Sequence, residues 1–323
     1  MPIMLNEVVE APIAWRADTP LSGEDGYALS ADALAEINEV AGFLENNPLP
    51  IEALLPNDFD LPHCHSMMAS IKGDLDDGCG FALIRGLPWA ELSKAQAKAI
   101  HWLLMSMLGQ TVAQKWNGEM VYDVIDTGRK EALGAGVRGS KTNGHQGYHT
   151  DNSYNLPPNY VGLTCLQPAM QGGLNGLVSF YTVHNELLQH HPVALQRLYE
   201  PFFFERYDEF APGESSVSSK PIFSFDGSTL SVALSTGRIR MGYRAKNQEM
   251  DAATADALAT LDAVLEEPSL CRNFDFSIGD TQIINNRKLG HRRTGYTDWP
   301  EPERKRHLVR IWVRNEGRRF YAG

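Results

Sequence analysis

The chain has little that would cross-link it, anchor it or draw it to polyanions. Its 323 residues include only four cysteines, Cys64, Cys79, Cys165 and Cys271, and no CxxC pair. That density is far below a disulfide scaffold, so reduced, buried thiols in a cytoplasmic protein are the expectation. No run of about 18 apolar residues occurs, which excludes a transmembrane helix. The opening MPIMLNEVVEAPIAWRAD lacks a basic segment followed by an apolar one, and no secretory signal is expected. Positive charge is short as well: 29 Lys and Arg stand against 40 Asp and Glu, a net charge of −11. Such a chain matches neither a phosphate backbone nor an anionic membrane, so no nucleic acid and no membrane is an expected partner. An anionic small molecule would have to be met by a local group of arginines. No repeat, low-complexity tract or Ser/Pro linker divides the sequence, and a single domain over 1–323 is expected.

What is present is a globular mixture of α and β patterns. Ser30 is an N-cap for a helix carrying Leu34, Ile37, Val40, Ala41 and Leu44 at helical spacing, ended by Asn46-Asn47-Pro48. GFALIRGLP (80–88) reads as a short apolar strand. Ser93 and Gln96 form a capping box for a helix with Ala97, Ile100, Leu103, Leu104 and Met107 inward. Residues 128–147 are glycine-rich with few large apolar side chains, the pattern of a mobile loop that would lie over the site as a lid. VHNELLQHHP reads as a helix broken at Pro192, which starts the next one. Segments 221–245 and 272–287 read as strands, with a helix at about 251–267. In the last run, RHLVRIWVR, Val309, Ile311 and Val313 share one face, and Arg310, Trp312 and Arg314 the other. Beyond position 145 strands are separated by loops rather than regular crossover helices. An antiparallel barrel or double-sheet roll flanked by helices is therefore favoured over a doubly wound parallel sheet.

The chemistry concentrates in GYHTDNSYNLPP. On a strand, His149 and Asp151 leave the same face and can grip one metal ion, but the pair alone is weak evidence, and its ordinary reading is a turn in which Asp151 caps a backbone N–H. A third ligand is needed, and the ten histidines supply several. His291 is the strongest, because it follows the strand FDFSIGDTQIINN and precedes a basic, polar stretch. Two His and one carboxylate on one face of an ion is the arrangement of non-haem Fe(II), with open positions for O2 and a cosubstrate; zinc more often prefers nitrogens or His/Cys mixtures. Arg306 and Arg310 follow on the next strand. Buried beside a metal they need an anionic partner, and a dicarboxylic cosubstrate is one, because Arg holds a carboxylate bidentately. For Arg314 pairing with an Asp or Glu of the fold is the expectation. His63-Cys64-His65 lacks a third ligand nearby and reads as a solvated loop or satisfied surface pair.

HTD at 149–151 and the distal NNRKLGHRRTGYTDWPEPERKRHLVRIWV resemble the taurine/2,4-dichlorophenoxyacetate dioxygenase family (TauD/TfdA, clavaminate-synthase-like). The match extends more loosely to GFALIRGLP and GGLNGLVSFYTVHNEL, covering the chain from about residue 78; residues 1–75 match poorly. The resemblance implies a double-stranded β-helix (jelly-roll) core flanked by helices, with Fe(II) held by His149, Asp151 and His291. It implies 2-oxoglutarate as cosubstrate with O2, its far carboxylate paired with Arg306, and Arg310 near the iron end of the cosubstrate or the substrate. The expected reaction is hydroxylation or desaturation of a C–H bond of a small-molecule substrate, carboxylate- or amino-acid-like, with release of succinate and CO2. Asp151 argues against halogenation, which needs a small residue in its place. Where the family has a Thr or Ser shortly after paired glycines, GGLNGLVSF offers only Asn175 and Ser179, and the role is unassigned.

Two other readings fit parts of the pattern. A Zn-dependent hydrolase would use the same three ligands to activate water but would not need Arg306 or Arg310. A non-catalytic jelly-roll binding protein would not need the ligands at all. Nothing in the sequence fixes the substrate, and a homo-oligomer is left open.

Overall fold

The computed structural model describes residues 3–21, 26–129, 137–207 and 209–321. A seven-stranded sheet faces a four-stranded one. In chain order the strands are β1 (Tyr27–Ala28), β2 (Phe81–Arg85), β3 (Gln110–Val112), β4 (Val121–Val124), β5 (Gln146–His149) and β6 (Tyr160–Gln167). They continue with β7 (Asn175–Ser179), β8 (Cys271–Phe274), β9 (Thr281–Asn285), β10 (Leu289–Arg293) and β11 (His307–Arg314). The large sheet runs β1-β2-β9-β6-β11-β3, with β4 also on β11, and the small one runs β8-β7-β10-β5. Pairing is antiparallel except between β1 and β2. This is the jelly-roll core expected from the sequence.

Strand β11 shows why the two layers stay in register. Val309, Ile311 and Val313 are fully buried against α1 (Ala31–Asn46), α2 (Pro62–Asp76) and α3 (Lys94–Ser106), which cover the outer face of the large sheet. The period of two then directs Arg310 and Trp312 into the space between the sheets. α4 (Phe180–His190), α5 (Pro192–Leu198), α6 (Thr236–Ala245) and α7 (Ala252–Leu265) follow in the chain, and their apolar faces join the core formed with the small sheet. Ser30 caps α1, and Ser93 with Gln96 makes the full capping box of α3, as the sequence predicts. Pro192 opens α5. No helix among the described residues is long and apolar enough to cross a membrane.

Three expectations are corrected. His63 and His65 lie on helix α2, not a loop, because Glu36 of α1 accepts the amides of His63 (2.8 Å) and Cys64 (2.9 Å) and caps a helix whose own N-cap, Leu61, supplies no side-chain bond. Within 221–245 only Phe223–Phe225 and Leu230–Val232 are strands, and Thr236–Ala245 is helical. Among the described residues Arg314 meets no carboxylate; its Nη1 and Nη2 donate to the carbonyls of Leu156, Arg318, Phe320 and Tyr321, acceptors that hold a buried cation in place of an ion pair. Of the loop expected as a lid, residues 130–136 lie outside the described residues. Its C-terminal part, including the single 3-10 turn Gly139–Lys141, runs directly into β5.

Candidate metal centre

His149 closes β5, and His291 sits at the middle of β10. They are direct partners across the antiparallel ladder, with ring centroids 4.2 Å apart. Beyond His149 the chain leaves the strand, so Asp151 reaches the histidines from a turn rather than from the strand position its spacing predicts. Thr150 starts that turn, donating its amide to Leu234 and accepting the amide of Leu234 on its hydroxyl. Asn286 fixes the next residue: its Oδ1 accepts the Asp151 amide at 2.7 Å, and its Nδ2 donates to the Asp151 and Pro158 carbonyls at 3.0 and 3.2 Å. With its backbone held at both donor and acceptor, Asp151 extends its side chain toward the two histidines.

The result is a convergence of three ligand atoms. Asp151 Oδ1 lies 3.8 Å from His149 Nε2 and 3.9 Å from His291 Nε2. The set is the one group of His, Cys, Asp and Glu among the described residues placed to hold a metal ion, all its ligand atoms within 4.8 Å of one another. Bonds of about 2.1 Å at right angles put neighbouring ligand atoms about 3 Å apart, so the three residues would close by roughly 1 to 2 Å to hold an ion.

Electrostatics keep the three in ligating form. Burial by itself would raise the Asp151 carboxyl, but the Arg310 guanidinium, the two histidines and the Trp312 N–H outweigh it and bring the group down to about 2. Burial lowers both imidazoles, His291 to about 3 with His149 adding to the effect, so both rings are neutral at pH 7. Arg310 Nη1 donates to Asp151 Oδ1 at 2.9 Å and Trp312 Nε1 to Oδ2 at 2.8 Å. Gln114 in turn holds Arg310, accepting its Nε at 2.8 Å while donating to the Arg310 and Met120 carbonyls.

Arg306 is buried to 3% exposure, and its Nη1 has no hydrogen-bond partner. Among the described residues it forms no ion pair. It lines a narrow cavity with His149, His291, Asn175, Arg293 and Arg310, on the side of the ligand set away from Trp312. Arg293 is buried there too, and desolvation together with the positive charge of Arg306 lowers its pKa to about 10. Two buried guanidiniums sharing one space create a demand for negative charge. A wider cavity of about 180 Å³ opens on the Asp151, Arg310 and Trp312 side.

Several of these residues escape the sequence reading. Gln114, Asn286 and Arg293 carry no local signal, because each acts across the fold, and the alternation that puts Trp312 on the Arg310 face does not mark it as a partner of Asp151. Of the two residues offered after the paired glycines, Ser179 is spent on the Ile13 carbonyl and the start of α4, whereas Asn175 lines the Arg306 cavity with its buried Nδ2 unbonded.

Residues 45–312 match the family described as taurine catabolism dioxygenase TauD, TfdA family. The chain belongs to that family. The match begins well before residue 78, where the resemblance was expected to start. The protein is similar to FR-33289 synthase of Streptomyces rubellomurinus (strain ATCC 31215), 27% identical over 328 residues that cover 97% of this chain and 94% of the relative. It is also similar to the taurine hydroxylase-like protein SAT17 of Stachybotrys chartarum (strain CBS 109288 / IBT 7711), 26% identical over 93% of this chain and 78% of that one. Among solved structures, asparagine oxygenase in complex with Fe(II), 3-hydroxyasparagine and succinate superposes with a TM-score of 0.70 at 17% identity, covering 89% of this chain and 93% of its own. The non-heme iron oxygenase OrfP in complex with Fe and alpha-ketoglutaric acid gives 0.64 at 16% identity, with 90% and 94% covered. At those identities the structures speak for the fold. The family member described here is an Fe(II)- and 2-oxoglutarate-dependent dioxygenase.

Proposed function

We propose that His149, Asp151 and His291 hold the Fe(II), that Arg306 anchors the distal carboxylate of 2-oxoglutarate, and that the reaction hydroxylates or desaturates a small carboxylate- or amino-acid-like substrate. One observation carries the reading: three ligand atoms converge beside a buried arginine that, among the described residues, has an unbonded Nη1 and no carboxylate partner. For hydroxylation, the bound iron, 2-oxoglutarate and O2 supply the oxidising power, one oxygen atom leaving in succinate, formed with CO2, and the other joining the substrate carbon.

The chain's own residues bind and orient. Trp312 and Arg310 fix the Asp151 carboxylate, which would fill the ligand position that a halide needs, so an unchlorinated product is expected. Arg310 has Nη1 on Asp151 and Nε on Gln114, and it borders the cavities on both sides of the ligand set, so its Nη2 serves the iron end of the cosubstrate or the substrate. Asn175, with its unbonded Nδ2 in the same cavity, would assist Arg306. The names of the solved relatives, an asparagine oxygenase and an enzyme bound to hydroxyarginine, support an amino-acid-like substrate. A zinc hydrolase leaves the unpaired Arg306 without a purpose. The test is succinate release by the Fe(II)-loaded protein across a panel of small acids, amines and amino acids; succinate above the substrate-free background identifies the class, and hydrolysis with Zn(II) in its place defeats the reading.

A further inference from the structure

We propose that the wider cavity is a receptor for an anionic terminus of the substrate, seated at the start of helix α6 between Arg138 and Arg238; this rests on the dioxygenase reading above. The cavity is lined by Ser235, Thr236 and Gly237, the first residues of α6 and its N-cap. Ser235 gives that helix no side-chain cap, and the first bond of the turn is Ile239 N–H to Ser235 O. The amides of Thr236 and Gly237 therefore stay outside the helical ladder, at the positive end of a ten-residue helix. Such a terminus is suited to a carboxylate, phosphonate or sulfonate.

Independent features of the same cavity agree. Ser153 lines it at 1% exposure, and among the described residues its hydroxyl has no partner. Among the described residues, the charged side chains on the wall are Arg138, Arg238 and Arg310 together with one carboxylate, that of Asp151. Glu209 and Glu205 hold Arg138 and Arg238 from behind, at 2.7 and 2.6 Å, and do not line the cavity. They fix the guanidiniums in place rather than supply acceptors to the ligand. Gly237 completes the case. Its φ is ordinary, and a Cβ built on it meets nothing within 4 Å. Neither backbone geometry nor packing explains a glycine in the first turn of this helix. Space for a bound group does.

The test uses the full chain loaded with Mn(II) and saturating 2-oxoglutarate, titrated calorimetrically with propylphosphonate, propanesulfonate and butyrate, and with uncharged butanamide and cationic butylamine. At least one anion should bind at least tenfold more tightly than both controls, and which anion wins identifies the headgroup. Gly237→Asp should keep or raise the melting temperature, since an acid in the first turn favours the helix, while weakening the anion at least tenfold; Gly237→Asn should weaken it less. Binding without preference for charge, no binding of any anion, or unchanged affinity in Gly237→Asp overturns the inference alone. Failure of 2-oxoglutarate itself to bind the Mn(II) protein overturns the dioxygenase site and this inference with it.

Discussion

His149 and His291 face each other directly across β5 and β10, from segments 142 positions apart (291 − 149). A one-residue slip of either strand would send its ring to the opposite face, so the metal site and the strand register are one specification. Replacing His291 by Ala should abolish stoichiometric Fe(II) binding and turnover while leaving the fold intact, as measured by metal content and circular dichroism. His307 is no substitute, because its Nε2 is held by Asp123 at 2.7 Å. Wild-type metal content in His291→Ala would show that the ligand set is wrong.

Trp312 acts on the metal through Asp151. Trp312→Phe keeps the ring but removes the N–H that holds Oδ2. Loss of such an outer hydrogen bond typically weakens metal affinity about 10- to 100-fold. Titration with Mn(II) should show a drop in that range, with the affinity for 2-oxoglutarate at saturating metal changed much less. Equal metal affinity in Trp312→Phe would mean that Arg310 alone orients the carboxylate.

Arg306 separates the dioxygenase from the hydrolase. Removing one partner of a desolvated carboxylate–guanidinium pair costs about 2–5 kcal/mol. Arg306→Ala should raise the KM for 2-oxoglutarate at least about tenfold with Fe(II) binding nearly intact, and Lys should rescue only in part, because an ammonium lacks the bidentate fork. If Arg310→Ala raises that KM and Arg306→Ala does not, the anchoring role belongs to Arg310.

The elements read correctly from sequence are those whose cause is local. Ser30, the Ser93–Gln96 box and Pro192 mark helix starts, and the alternation of β11 points Arg310 inward, with Arg306 just before the strand lining the same cavity. Missed features have distant causes. The N-terminus of α2 is capped by Glu36 from another helix, which no local pattern around His63 reveals. Helix α6 carries a strand-like pattern because its apolar period is short and charged; it is fixed by close packing on Phe202–Glu205, where a Cβ on Gly242 would clash with the Phe203 carbonyl. The ligand types at 149, 151 and 291 were legible, but the Asn286 clamp that turns Asp151 toward them depends on tertiary contact.

Stability should fall in mild acid. His101 and His184 are fully buried, and desolvation lowers both to about 4 from the ordinary 6.5. Between those values the unfolded chain binds more protons than the folded one, so stability is complete above about pH 6.5 and declines as the pH drops toward 4. Each histidine contributes about 1–2 kcal/mol to the loss between pH 6.5 and 5, and in metal-free protein His149 and His291 act in the same sense. Denaturant midpoints of the metal-free protein should decrease across that window; a flat profile would mean that these rings protonate without unfolding.

The central claim is a metal-dependent 2-oxoglutarate site anchored by Arg306, and anaerobic calorimetry tests it most directly. Titrating 2-oxoglutarate into Fe(II)-loaded protein should show one equivalent bound, at least about tenfold more weakly in Arg306→Ala and far more weakly without metal. Binding of equal strength in the metal-free protein, or none in the Fe(II)-loaded protein, would contradict it.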